Sequence, residues 1–139
     1  MSYFAVIREA GPSWTDGKRI TEQPVVSDHA AFMNALADEG FVLFGGPLAG
    51  SEHGRLRALL IVNADSEAEI HRRLAHDPWV PTEQLVTTSI EQWNIFVGAE
   101  RLSTAHAATG AAASISVRSP AAVEDDQPRR PTSTEPRGD

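Results

Sequence analysis

The chain has 139 residues, 41% of them hydrophobic, and a formal net charge of -7 at pH 7. That length predicts a single domain with one modest core, and the acidic balance argues against nucleic acid as a partner. No apolar run of about 18 residues occurs, which argues against a membrane-spanning helix or a membrane partner. The absence of cysteine excludes disulfides, thiolate catalysis and cysteine-based zinc or iron–sulfur sites.

The first residues, Met1 to Ile7, form too short an apolar stretch for a signal peptide and lack a positive flank, so a cytoplasmic location is expected. A composition shift near Gly98 divides the chain. Every Trp, Tyr, Phe and Met lies in residues 1–98, and residues 99–139 contain none. The later stretch is rich in Ala, Ser and Thr and then runs Asp125-Asp126-Gln127-Pro128-Arg129-Arg130-Pro131. It offers too little apolar surface to offset the entropy of ordering. A disordered tail over 99–139 is expected, either passive or a docking segment, after an ordered domain over 1–98.

Residues 3–8 alternate with β-formers and predict a strand. Residues 9–25 contain Gly11-Pro12, Asp16-Gly17 and Pro24, which punctuate a long loop. Ser27 or Asp28 is the expected cap of a helix. Phe32, Met33 and Leu36 follow at helical spacing, and Gly40 gives the stop. The continuous apolar run Phe41-Val42-Leu43-Phe44 predicts a buried strand ended by Gly45-Gly46-Pro47. A turn is expected at Glu52-His53-Gly54 and a third strand over 55–62. Ser66 with Glu69 predicts a capping box, opening a helix that carries Ile70 and Leu74 inward. Residues 84–96 read as a long last strand.

The order βαββαβ places the chain in the α+β class as a ferredoxin-like split βαβ unit: a four-stranded antiparallel sheet with both helices on one face. The other sheet face needs cover. In a chain this short the available cover is a second copy, so a homodimer with packed sheets, an α+β barrel, is expected.

Two places carry the candidate chemistry. Positions 29, 32, 33 and 36 share one helix face, so His29 looks inward beside Phe32, Met33 and Leu36. It lies in the first turn, near the positive end of the helix dipole, which favours the neutral imidazole that a general base needs. The same placement suits a core-edge histidine bonded to a backbone carbonyl. Asp77 precedes Pro78, whose ring ends helical geometry there. It is either a turn-maker or, if the two helix ends meet, the carboxylate that orients the His29 ring and fixes its tautomer.

Gly45, Gly46 and Pro47 allow close approach of a ligand or another backbone at a strand end. Trp14 and Trp79 are candidate walls for a planar ligand, or ordinary packing. His71 and His76 are spaced wrongly for one helix face, His53 falls in a turn and His106 in the tail. No metal-binding spacing, nucleophile elbow or phosphate loop is present, so neither a metal nor a cofactor is expected.

Taken together, His29-Ala30-Ala31-Phe32, Gly45-Gly46-Pro47-Leu48, Asp77-Pro78-Trp79-Val80 and Trp93 in the last strand resemble the YciI-like (YCII-related) family over about residues 3–97. The resemblance implies a dimeric ferredoxin-like α+β barrel. It also implies an active-site dyad at the positions of His29 and Asp77, with acid–base chemistry of the kind that eliminates a leaving group from small hydroxylated rings. The chain departs from the family pattern at Gln92, where a proline is common, at Pro81-Thr82-Glu83-Gln84, which lacks the usual glycine, and in the early loop with Trp14.

The leading expectation is a small-molecule lyase or isomerase. Asp77 would orient His29 as base, and main-chain N–H groups around Gly46 would steady a developing oxyanion. The alternative is a non-catalytic metabolite-binding dimer using the same cleft. A third reading is an interaction protein acting through its tail.

Overall fold

The computed structural model of the chain describes residues 2–51 and 54–102. Its elements are β1 (Ser2–Ala10), a 3-10 turn (Ile20–Glu22), α1 (Val26–Asp38), β2 (Val42–Pro47), β3 (Arg57–Ala64), α2 (Glu67–Leu74) and β4 (Leu85–Gln92). The strands form one sheet in the order β2-β3-β1-β4, and every neighbouring pair is antiparallel. This is the α+β, ferredoxin-like architecture expected from the element order.

The period of two along β1 decides which side is buried. Phe4, Val6, Arg8 and Ala10 are buried, and the residues between them are partly open. Phe4 and Val6 join Leu60 and Val62 of β3, Leu36 of α1, and Ile70 and Leu74 of α2 in one cluster. Both helices therefore cover the same sheet face. Each such side chain contributes about 1.5–3 kcal/mol on full burial. A smaller cluster of Ala10, Trp14, Leu56, Trp79 and Leu85 lies at the end of β1. Gly11 joins it closely to the segment before β4. The Gly11 N–H donates to the Gln84 carbonyl at 2.8 Å, and a Cβ on Gly11 would stand 2.2 Å from the Glu83 carbonyl oxygen.

Several local expectations change. Helix α1 begins at Val26, after Val25 in the left-handed region at φ 61°, and no side chain caps it. Ser27 and Asp28 thus lie inside the first turn. In α2 the Ser66 hydroxyl accepts from the Glu69 N–H at 3.1 Å, but the Glu69 carboxylate reaches back to the Asp65 N–H at 2.8 Å. The return bond of the expected capping box therefore falls one residue early.

Strand β2 does not end at the glycines. It runs through Pro47, with Gly45 opposite Leu60 and Gly46 opposite Leu59. As an edge strand it buries only its start, and Phe44 is 52% exposed. Strand β4 stops at Gln92, so Trp93 follows the strand, its N–H donating to the Tyr3 carbonyl at 2.8 Å.

Of the turn expected at 52–54, residues 52 and 53 lie outside the described residues. So does the expected tail from 103 onward, whereas residues 99–102 are helical and Leu102 is buried. No helix among the described residues is long and apolar enough to cross a membrane.

Candidate functional site

The site is assembled from β1, the start of α1 and the turn after α2. Alternation along β1 sets Arg8 on the helix-covered face, in phase with Phe4 and Val6, and it is 1% exposed. Helix α2 ends at Leu74, and the Asp77 N–H donates to the Leu74 carbonyl at 3.0 Å. Pro78 then redirects the chain, and the Trp79 N–H donates to Asp77 Oδ1 at 2.9 Å. That contact is an Asx-type turn, which fixes the carboxylate.

His29 meets this carboxylate directly. Its Nδ1 lies 2.8 Å from both Oδ1 and Oδ2 of Asp77. Arg8 Nη1 donates to Asp77 Oδ2, also at 2.8 Å. Asp77 has no solvent exposure, so one buried carboxylate receives donors from three parts of the chain.

An ionised carboxylate only accepts hydrogen bonds. His29 Nδ1 therefore carries the proton, and in the neutral ring Nε2 holds the lone pair. Burial pushes the Asp77 carboxyl upward. The hydrogen bond from His29, the interactions with His29 and Arg8, and the Trp79 N–H together outweigh it and hold the group below its ordinary value of 3.8. Burial lowers the Arg8 guanidinium, opposed by its charge attraction and hydrogen bond to Asp77.

The ring of His29 is also held from behind. It stacks on Trp79 with centroids 3.8 Å apart and planes 9° from parallel. Trp79 donates its indole N–H to the Pro24 carbonyl at 2.7 Å. Trp14 meets Trp79 edge-on, at 5.7 Å and 83°. The next carbonyl along, that of Val25, accepts the His29 N–H at 3.1 Å. The Pro24–Val25 step thus ties both the tryptophan and the histidine, and Val25 adopts its left-handed backbone at this point.

In front of His29 lies a cavity of about 250 Å³. Arg8, His29, Thr21 and Asn34 are its polar side chains, and Ile20, Val26, Met33, Val42, Leu56, Leu60 and Leu85 give it apolar walls. Gly45, Gly46 and Pro47 line it as well. The missing side chain at Gly45 matters, since a Cβ there would stand 2.7 Å from Leu60 Cδ2. Trp14 and Trp79 do not line the cavity; Trp79 stacks on the His29 ring and Trp14 packs edge-on against Trp79.

Sequence reasoning missed Arg8. The available signal was its phase, because an arginine in step with Phe4 and Val6 on a strand occupies a core-facing position.

A second, more open hollow is formed by Glu39, Phe41, Asn63, Asp65, Glu69 and Arg73. It contains the ion pair of Arg73 with Glu39 and no residue of the His29 site. His71 faces Glu67 at 3.6 Å on the exposed side of α2, and His53 and His106 lie outside the described residues. Among the described residues no group of three or more His, Asp or Glu is arranged to hold a metal ion.

No family model and no curated protein matches the chain. Among solved structures it is similar to 5-chloro-2-hydroxyhydroquinone dehydrochlorinase from Burkholderia phenoliruptrix AC1100, determined in complex with 2,5-dihydroxybenzoquinone. The identity is 22% and the TM-score 0.49, covering 68% of this chain and 95% of that one. A likeness of that size leaves the chemistry of this chain to be read from its own residues.

The network makes Asp77 a stability determinant with a defined pH signature. Replacing it by asparagine leaves Arg8 buried without its counter-charge, so Asp77→Asn is expected to cost about 3–5 kcal/mol near pH 7. A carboxyl whose folded pKa is depressed stabilises the fold fully above its unfolded pKa, and that contribution is lost as pH falls through the folded value. The gap between wild type and Asp77→Asn in urea unfolding should therefore shrink as pH falls below about 4. A gap that stays constant through the acid range would contradict the ionised, paired carboxylate.

Proposed function

We propose that the chain is a YciI-like enzyme, a lyase or isomerase acting on a small hydroxylated or cyclic metabolite, with His29 as general base and Asp77 as the group that orients it. The observation that carries this reading is the double contact of His29 Nδ1 with a fully buried carboxylate while the same ring lines the cavity. Held in this way, Nε2 is the basic atom of the neutral ring. A general base must lie within hydrogen-bond reach of the proton it takes, and a ring fixed by Asp77 on one edge and Trp79 on one face presents Nε2 in one direction.

In the proposed step, Nε2 takes a proton from a hydroxyl or an activated C–H of the substrate. The electron pair left behind forms a new π bond and expels a leaving group from a neighbouring carbon, or is reprotonated at another atom of the ring system. The first outcome is elimination and the second isomerisation. The proton on His29 then returns to the leaving group or to the new carbon site, so the step closes without an oxidant or reductant. Asp77 stays ionised throughout and stabilises the imidazolium that forms. Gly45, Gly46 and Pro47 form the wall that limits substrate size.

The test is turnover of small phenols, quinols and hydroxy acids followed by mass spectrometry, on wild type and His29→Ala. A compound converted by wild type should be converted by His29→Ala about 10²–10⁴-fold more slowly. A compound that binds wild type and is recovered unchanged would point instead to a metabolite-binding protein using the same cavity. Equal turnover in both proteins would remove His29 from the mechanism.

We also propose that the protein works as a homodimer joined through the sheet face that carries no helix. By alternation that face holds Tyr3, Ala5 and Ile7 of β1 and Phe44 of β2. Phe44 is 52% exposed and Val86 of β4 37% exposed in the single chain. Apolar side chains clustered on an uncovered sheet face mark an interaction surface. Sedimentation should give twice the chain mass for wild type and the chain mass for Phe44→Glu; a wild-type monomer at micromolar concentration would refute the dimer.

A further inference from the structure

Arg8 uses only part of its hydrogen-bonding capacity. Nη1 donates to Asp77 Oδ2 at 2.8 Å and lies 3.8 Å from Met33 Sδ. Nε and Nη2 are buried and meet no acceptor among the described residues, and the side chain is only 1% exposed. Buried donors are nearly always paired, because an unpaired one forfeits its bonds to water and gains none in return. The exceptions call for an explanation, among them local strain, a functional role, or a water or ion that completes the set.

Arg8 also lines the cavity in front of His29 and, among the described residues lining it, is the single permanently charged one. Its neighbours there include Met33, Val42, Leu60 and Leu85, a surround in which charge attraction is weakly screened. With His29 neutral the formal charges of Arg8 and Asp77 cancel, and Asp77 shares its oxygens with the His29 and Trp79 N–H groups as well. Once His29 takes a proton, the formal sum over Arg8, Asp77 and His29 is +1.

We infer that Arg8 is the anion-recognition residue of this cavity, and that its ligand is a small organic acid, an apolar body bearing one carboxylate. Nε–H and Nη2–H form one edge of the guanidinium, and that edge matches a carboxylate through two parallel hydrogen bonds. Nη1 stays on Asp77 at the opposite side of the group. The carboxylate thereby satisfies the unpaired donors and sets the reacting carbon or hydroxyl against His29. The cavity, at about 250 Å³, is smaller than the roughly 300–1,000 Å³ of pockets for drug-sized ligands, so the body is a short chain or a single ring. This deepens the proposed function, since it rests on the same cavity being the substrate site.

Calorimetric titration with acetate and benzoate, against the neutral isosteres acetamide and benzamide, tests it. Wild type should bind each acid at least about tenfold more tightly than its amide, the gain expected of one charge-assisted pair. Arg8→Met should bind acid and amide alike, while Arg8→Lys should recover part of the preference. His29→Ala should keep the preference, because it leaves Arg8 in place.

Acids bound no better than amides by wild type, acids not bound at all, or a preference that survives in Arg8→Met would each overturn the assignment. Should Arg8→Met fail to fold, nitrogen-15 spectra of the wild type decide. The Arg8 Nε–H signal, assigned by its loss in Arg8→Lys, should move on adding benzoate, and a signal unmoved by benzoate overturns it. Loss of the acid preference with His29-dependent turnover intact would sink this inference alone. An intact preference with turnover indifferent to His29 would sink the catalytic reading alone.

Discussion

A carboxylate removed from water costs several kcal/mol unless it is paired and hydrogen-bonded, and Asp77 has no solvent exposure at all. The structure meets that cost with three donors drawn from distant parts of the chain: Arg8 from the inner strand β1, His29 from the first turn of α1, and the Trp79 N–H from Asp77's own turn. Each donor is held by something else. Sheet register fixes Arg8, the Asx-type turn fixes Trp79, and the stack on Trp79 fixes His29. The site and the packing between β1, α1 and the segment after α2 are therefore one network. A change at Asp77 is therefore expected to cost stability.

The same network explains why the long early loop has its shape. Trp14 supports Trp79, Trp79 supports His29, and Pro24 accepts the Trp79 indole N–H. Val25 pays for this closure with a left-handed backbone, φ 61°, which costs a β-branched residue about 1–2 kcal/mol. Strain of this kind persists where the surroundings over-determine the conformation. Here the constraint comes from two neighbouring carbonyls bound on either side of the catalytic candidate.

Much of the frame was legible in the residues, for physical reasons that can be named. Alternation in β1, the spacing of Phe32, Met33 and Leu36, and Ile70 with Leu74 gave elements and inward faces, since burial follows period. The meeting of His29 with Asp77 was not legible from spacing, because it depends on how α1 and the turn after α2 lie across the sheet. The resemblance of His29-Ala30-Ala31-Phe32 and Asp77-Pro78-Trp79-Val80 to the YciI-like pattern is what linked them in the sequence.

Three errors share one cause, the use of local composition where tertiary context decides. An apolar run made β2 look buried, but an edge strand leaves Phe44 open. Glycines made its end look early, but the ladder continues to Pro47. Ser27 and Asp28 looked like caps, yet the Pro24–Val25 step, bound to Trp79 and His29, starts the helix. Arg8 was overlooked because a charged residue near a strand end is usually solvated; only its phase with Phe4 and Val6 points inward.

Everything proposed about catalysis depends on which nitrogen of His29 carries the proton. Nitrogen-15 NMR of the imidazole, at a pH where the ring is neutral, reads that directly. The expected result is a ring in the Nδ1–H form, its N–H bonded to Asp77 and its Nε2 carrying the lone pair, with that preference lost in Asp77→Asn. A ring found in the Nε2–H form, or one divided equally between the two forms in the wild type, would contradict the arrangement on which the base depends.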